Sequence, residues 1–104
     1  MVRLIVLYNQ PDDPAAFDAH YRDVHSPMVE RYPKLQSLRL TRLEGAGGRP
    51  APYYLMAEIV FDSYQDLTDA VASAPSAESA RDLRNFAQAV VTVFVAPDEA
   101  DARA

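Results

Sequence analysis

The sequence of 104 residues contains no cysteine, only three glycines and only two histidines. Without cysteine the chain has no disulfide, no thiolate ligand for a metal and no thiol nucleophile, a composition typical of cytoplasmic proteins. All three glycines lie in "GAGG", residues 45–48. This segment leads into a predicted strand and not into a helix N-terminus, so no phosphate-binding loop is expected.

Positive charge is also scarce, with 10 Lys and Arg residues against 15 Asp and Glu and a net charge of −5. No basic cluster is present, so neither nucleic acid nor an anionic membrane is an expected partner. No apolar run reaches the roughly 20 residues of a membrane span. The beginning, "MVRLIVLYNQP", has no small-residue cleavage site and is predicted to be a strand. The length indicates one domain, residues 1–97, followed by a polar tail, 98–104.

Strand and helix patterns alternate along the chain. Runs of branched and apolar residues predict strands over 2–9, 35–44, 53–61 and 90–96. Asp13 and Pro14 have the types preferred at the start of a helix. A second helix is expected to begin at Ser63, and a short third one at Ser79, where Asp82 follows at the capping-box spacing. The order βαββαβ predicts an α+β, ferredoxin-like fold, with a four-stranded antiparallel sheet and its helices on one face.

The predicted sheet is apolar on both faces. In the third strand one parity consists of Leu55, Ala57, Ile59 and Phe61, and the other consists of Tyr54, Met56, Glu58 and Val60. Because the helices cover one face only, we expect a homodimer whose sheets pack face to face. A monomer with an exposed apolar sheet is the alternative.

Glu58 is the one charged residue on that second parity. A carboxylate among apolar neighbours needs a cation, which Arg3 or Arg39 on neighbouring strands can supply. Two interpretations remain open, an inter-strand ion pair and a carboxyl of raised pKa that acts as acid or base in a cavity.

Both histidines lie in "HYRDVHSPMVERYP", residues 20–33, beside a proline. An apolar stripe at the helical period precedes and spans this stretch, formed by Phe17, Tyr21, Val24 and Met28. Pro27 disfavours helical dihedrals at Ser26, so we expect a break there that turns His25 toward a pocket. The five-residue separation of His20 and His25 is not the i,i+4 spacing of a helical metal site, and no metal is predicted.

Three stretches resemble the EthD family in their order and spacing: "RLIVLYNQPDDPAAFDAHYRDVHSPM", the H-x-P at His25 to Pro27, and "DLRNFA" at 82–87. The resemblance spans about residues 2–96 and implies a dimeric α+β barrel in which the family's recurring histidine corresponds to His25. The family is named for a protein required in bacterial degradation of ethyl tert-butyl ether. Related barrels include cofactor-free monooxygenases, polyketide cyclases, muconolactone isomerases and haem enzymes.

Three functions are open at this point. The first is a cofactor-free enzyme of isomerase, cyclase, dehydratase or oxygenase type that acts on an apolar or aromatic small molecule. His25 would be its general acid/base, because imidazole titrates near working pH. The second is a non-catalytic accessory or ligand-binding module of a degradative or biosynthetic pathway, and the third, by analogy, a haem protein with His25 as axial ligand. The residues expected to bind the small molecule are Tyr8, Tyr21, Tyr54 and Glu58.

Overall fold

The computed structural model describes residues 1–86 and 91–97. The predicted polar tail, 98–104, and the first residue of the predicted fourth strand lie outside the described residues. The strands are β1 (Val2–Asn9), β2 (Ser37–Arg42), β3 (Tyr53–Phe61) and β4 (Val91–Ala96). The helices are α1 (Pro14–His20), α2 (Ser26–Val29), α3 (Tyr64–Val71) and α4 (Ala74–Phe86), and a π-helical turn, Tyr21–His25, joins α1 to α2. None of these helices combines the length and apolar content needed to cross a membrane.

The four strands form one antiparallel sheet in the order β2-β3-β1-β4. Val6 of β1 is opposite Ala57 of β3 on one side and Val93 of β4 on the other. The helices cover the part of this face that carries Val6 and Ala57, and the core lies between the two layers, whereas Val93 on the edge strand is 51% exposed. The predicted α+β, ferredoxin-like arrangement is therefore confirmed. The buried core consists of Val2, Val6, Tyr8, Phe17, Tyr21, Val29, Tyr32, Tyr54, Leu55, Ala57, Ile59, Phe61, Leu67 and Ala70.

Two of the predicted helix starts are confirmed by their caps. The Asp13 carboxylate accepts a hydrogen bond from the Ala16 N–H at 3.1 Å, and proline follows in the first turn of α1. The Ser63 hydroxyl accepts one from the Asp66 N–H, also at 3.1 Å, at the start of α3. Each bond satisfies a backbone donor that has no partner within its own helix.

The predicted helix start at Ser79 is wrong. Helix α4 begins at Ala74, and Pro75 is its second residue, where the ring is compatible with a helix. Ser79 and Asp82 therefore lie inside the helix, and both are buried. The Ser79 hydroxyl donates to the Ser76 carbonyl within the same helix and contacts the Tyr32 hydroxyl. Neither residue caps anything, and both face the protein interior.

The helix also differs from expectation at Pro27. Ser26 keeps right-handed helical dihedrals, with φ −62° and ψ −35°, so proline does not drive it out of the helix. The irregularity lies upstream, where the Ser26 N–H donates to the Tyr21 carbonyl and closes a π-helical turn. In that register the Arg22 carbonyl would next accept from residue 27, and proline has no N–H. The Ser26 hydroxyl donates to this carbonyl instead, at 3.3 Å.

The π turn shifts the buried stripe by one residue. Phe17 and Tyr21 are buried as predicted, but Val24 is 38% exposed. Beyond the turn the buried positions are His25 and Val29, in place of Val24 and the methionine at 28. The buried spacing is four residues throughout, because a turn closed by i to i+5 bonds contains more residues than a turn of α-helix.

Tyr54 does not follow the predicted alternation of β3. Its ring packs edge-on against Phe17, with centroids 5.5 Å apart, and its hydroxyl donates to Asp18 of α1 at 2.9 Å. Tyr54 therefore faces the helices and not the open face. The pairing of β1 with β3 shifts register between Tyr8 and Asn9, and this irregularity lets neighbouring residues leave the two-residue period.

Candidate functional site

A buried carboxylate binds both imidazoles of the chain. Asp82 Oδ2 lies 2.9 Å from His25 Nδ1, and Asp82 Oδ1 lies 2.9 Å from His20 Nε2. His20 Nε2 is also 3.0 Å from Oδ2. An ionised carboxylate only accepts hydrogen bonds, so both facing nitrogens carry the protons. In neutral rings this leaves lone pairs at His25 Nε2 and His20 Nδ1. We call these three residues the carboxylate–imidazole cluster.

The π turn explains why two histidines five residues apart reach one carboxylate. In a regular α-helix, positions five apart lie about 140° from each other around the axis. In the turn Tyr21–His25 the backbone hydrogen bond spans five residues, which brings positions i and i+5 closer together around the axis than they are in an α-helix. His20 and His25 therefore share the face directed at α4, where Asp82 lies. The unusual spacing beside the proline is the geometry that the cluster requires.

Burial determines the protonation of His25. The residue is only 2% exposed, and removal from water lowers its pKa because the charged ring is disfavoured there. The hydrogen bond that His25 donates to Asp82 and the charge of that carboxylate oppose this shift, and the nearby His20 adds to it. His25 is thus a neutral ring at neutral pH, held in one tautomer by its Nδ1–H donation.

Aromatic rings enclose the carboxylate–imidazole cluster. Phe86 of α4 stacks on His20, with centroids 4.4 Å apart, and lies 5.1 Å from the His25 ring. Tyr21 is 5.2 Å from His25 and packs edge-on against Tyr8 at 5.5 Å. Burial raises the pKa of Tyr21 to about 12 and raises the pKa of Tyr8 further. Both phenols therefore keep their protons and present neutral hydroxyl groups.

A cleft of about 330 Å³ opens beside the cluster, between the end of β1, the first turns of α1 and the end of α4. Its lining consists of Tyr8, Asn9, Gln10, Pro11, Asp12, Asp13, Ala16, Phe17, His20 and Phe86. His20 is the histidine at the wall of this cleft. His25, which we expected to face a pocket, is not part of the lining and lies in the interior against Asp82 and Tyr21.

The structure brings together only some of the residues expected to bind a ligand. Tyr8 lines the cleft and Tyr21 packs behind it, next to His25. Tyr54 lies apart, at Asp18, where the Arg42 guanidinium sits 4.5 Å above its ring.

Glu58 is further away still, on the open face of the sheet. There it accepts a hydrogen bond from Arg3 at 2.8 Å. The observed geometry is the inter-strand ion pair, one of the two interpretations open from sequence. Glu58 is therefore separated from the cluster by the sheet itself.

Sequence reasoning missed Asp82, His20 and Phe86 as members of the site. A signal was available in α4, where Ser79, Asp82, Leu83 and Phe86 recur at the helical spacing i, i+3, i+4 and i+7. A carboxylate on a buried stripe needs donors, and an unpaired one would be costly. The two histidines supply the hydrogen-bond donors to Asp82.

The site offers little to a metal ion or a haem. Within residues 1–86 and 91–97, no three His, Asp or Glu side chains are arranged to hold a metal. A haem iron would need an imidazole open to a cavity. His25 is buried beside Tyr21 and Phe86 and does not reach the cleft, so it does not fit the role of axial ligand expected for it.

A family model for the EthD domain matches residues 9–89. The chain belongs to the EthD family. This EthD protein is 34% identical over 99 residues to an uncharacterized 11.0 kDa protein in the thcB–thcC intergenic region of Rhodococcus erythropolis, covering 95% of this chain and 96% of the other. It is also similar to a crystal structure of an ethyl tert-butyl ether (EthD) family protein from Bacillus halodurans, with 33% identity, a TM-score of 0.89 and coverage of 95% and 99%.

The fold alone is shared with a more distant structure. SnoaB, a cofactor-independent oxygenase from Streptomyces nogalater, superposes with a TM-score of 0.70 at 16% identity, covering 97% of this chain and 95% of SnoaB.

Proposed function

We propose that this EthD protein is a homodimer that binds an apolar or aromatic small molecule in its cleft and transforms it by acid/base chemistry without a cofactor. The observation that carries the proposal is the carboxylate–imidazole cluster beside an aromatic-walled cleft. A carboxylate that fixes the tautomer and orientation of an imidazole is the arrangement of a general base. The fold shared with SnoaB is an analogy at the level of architecture only.

The chemistry that this cluster can supply is removal of a proton from a carbon or oxygen acid. The C–H or O–H bond of the substrate breaks, its electron pair stays on the substrate, and the proton moves to an imidazole lone pair. Asp82 then stabilises the imidazolium through its charge and its hydrogen bonds. The isomerase, cyclase, dehydratase and oxygenase types all contain such a step. Of the two imidazoles, His20 borders the cleft and His25 lies behind it against Asp82.

A test of this proposal uses 2-tetralone, an apolar aromatic ketone with acidic protons next to its carbonyl. The purified protein in D₂O should accelerate exchange of these protons, followed by proton NMR. Asp82→Asn keeps the size of the side chain but removes its charge, and should lower the exchange rate by roughly 10² to 10⁴. Glu78→Gln is the matched control, because Glu78 lies in the same helix but is exposed and paired with Arg31.

A second function is favoured by the burial of His25. His25, the residue expected from the sequence to be catalytic, lies in the interior. In this second function its hydrogen bond to Asp82 stabilises the fold and has no catalytic role. The protein would then be a non-catalytic ligand-binding module of a pathway. Binding of 2-tetralone by the wild type with no exchange above the buffer rate would favour this second function over the first.

The homodimer is supported by the open face of the sheet. No helix in the described part of the chain covers this face, where Phe94 is 53% exposed opposite Ile5, and Leu7 is paired with Met56. Apolar side chains on an uncovered sheet face are of the kind that marks an interface. Nearby, Arg3 Nε is buried without a hydrogen-bond partner among the described residues. A second copy of the sheet would cover the apolar surface and can supply an acceptor.

A further inference from the structure

We infer that His20, and not His25, contacts the bound molecule by accepting a hydrogen bond at Nδ1, and that the cleft selects neutral or cationic hydroxylated aromatic compounds over carboxylates and phosphates. This inference deepens the proposed function and rests on its use of the cleft as the ligand site. In this division, Asp82 and His25 are positioning residues that act through His20.

The first argument is the difference in exposure between the two imidazoles. Both donate to the same carboxylate, but the His20 side chain is 32% exposed and the His25 side chain 3%. His20 also lines the cleft, and His25 does not. Because His20 Nε2 is occupied by Asp82, Nδ1 is the ring atom left for a ligand. Its lone pair accepts a hydrogen bond from a hydroxyl or amine.

The second argument is that the position of His20 is fixed from two sides. Phe86 stacks on the plane of its ring, and the Asp82 carboxylate binds its edge. His25 in turn donates to Asp82 Oδ2 and so restrains the carboxylate from the interior. Since burial lowers the pKa of His25, this ring stays neutral and meets Asp82 as an Nδ1–H donor. These contacts fix the His20 ring with its proton on Nε2 and its lone pair on Nδ1.

The third argument is the charge of the cleft. Two carboxylates, Asp12 and Asp13, belong to its lining, and Asp82 lies directly behind His20. No Lys or Arg is among the lining residues in the part of the chain that the structure describes. A cleft lined by one sign of charge attracts the opposite sign and disfavours its own. The rings of Tyr8 and Phe17 supply the surface for an aromatic body.

The binding test compares two probes that share one ring system, 1-naphthol and 1-naphthoate, titrated near neutral pH and followed by amide NMR shifts. Naphthol should bind at least tenfold more tightly than naphthoate. His20→Phe keeps a ring on Phe86 but removes the acceptor, and should weaken naphthol binding roughly tenfold, the equivalent of one hydrogen bond. Asp12→Asn should reduce the difference in affinity between naphthol and naphthoate. Glu78→Gln should change the affinity for neither probe.

The positioning roles have a separate readout in the ¹⁵N shifts of the His20 ring. The wild type should show the Nε2–H tautomer, and this measurement does not depend on the folding of any variant. In Asp82→Asn and His25→Asn this tautomer should give way to a mixture, because the restraint on the ring is weakened. A wild-type His20 with its proton on Nδ1 would overturn the inference outright.

The outcomes separate this inference from the proposed function. Tight naphthol binding that depends on His20, with no exchange of 2-tetralone, would leave the inference standing and refute the catalysis. Exchange that is lost in His25→Asn but retained in His20→Phe would support the catalysis and overturn the assignment of His20. Equal affinity for naphthol and naphthoate would overturn the proposed ligand class.

Discussion

Asp82 is a residue whose burial is tolerable only because two donors meet it. The free-energy cost of removing a carboxylate from water is larger than the stabilisation from one typical hydrogen bond. Hydrogen bonds from two imidazole rings offset that cost at Asp82. Removing one imidazole leaves the Asp82 carboxylate with too few hydrogen-bond donors in the interior. The histidines therefore contribute to the stability of the fold as well as to any chemistry.

The first prediction at this scale concerns His25→Ala. The change removes the deepest donor to Asp82 and should lower the free energy of unfolding by about 1 to 3 kcal/mol, measured by urea denaturation near neutral pH. Asp23→Asn is a suitable control, because Asp23 lies in the same turn on the exposed side and pairs with Arg22. An unchanged urea midpoint for His25→Ala would show that the bond to Asp82 does not stabilise the fold.

The second prediction is the pH dependence that His25 imposes. Its pKa in the folded state is lowered below the value of about 6.5 in the unfolded chain. Between these two values the unfolded state binds more protons, so stability is fully present above pH 6.5 and is lost as pH falls toward the folded pKa. His25→Gln should therefore show a shallower loss of unfolding free energy below pH 6.5 than the wild type. Equal slopes in the two proteins would contradict the neutral, buried state of His25.

At the scale of elements, the segment from α1 to α2 shows what sequence patterns can and cannot predict. The helix start at Asp13 follows from side-chain chemistry within a few residues, and it is confirmed. The proline also marks the correct neighbourhood of an irregular helix. The nature of the irregularity could not be predicted, because a π turn depends on which side chains the rest of the fold can bury. Here the partner of both histidines is Asp82, more than 50 residues further on.

The π turn can be tested by placing the same charge at two nearby valines. Val24→Asp should change the free energy of unfolding by less than about 0.5 kcal/mol, because Val24 lies on the exposed side of the turn. Val29→Asp should destabilise the protein by more than about 3 kcal/mol, because Val29 is 2% exposed and belongs to the core. Urea denaturation of the two variants provides the comparison. A regular α-helix with the stripe first predicted would give a large effect at Val24 instead.

At the scale of the whole molecule, topology was the most predictable property. Strand patterns, turn residues and the βαββαβ order leave few ways to pair four strands, and the observed sheet is one of them. The site was less predictable, because the helical stripe of α4 does not reveal which distant residues meet Asp82, and both histidines lie more than 50 residues away along the chain. Asp82 follows Ser79 at the spacing of the acidic residue in a capping box, so the sequence does not distinguish it from a capping residue. Its burial inside α4 in the folded chain does.

The last prediction is that the open sheet face is an interface between two copies. Light scattering at micromolar concentration should give twice the chain mass for the wild type. Met56→Asp should shift the protein toward monomer or make it insoluble, because the new carboxylate would be buried without a partner between the sheets. Val71→Asp is the control, since Val71 is an exposed apolar residue on α3, on the helical side of the sheet. A wild-type monomer, or loss of the dimer in both variants alike, would show that this face is not where two copies meet. A dimer lost only in Met56→Asp would place the Arg3–Glu58 pair inside the interface, where Arg3 Nε, unpartnered within the described residues, has an acceptor within reach.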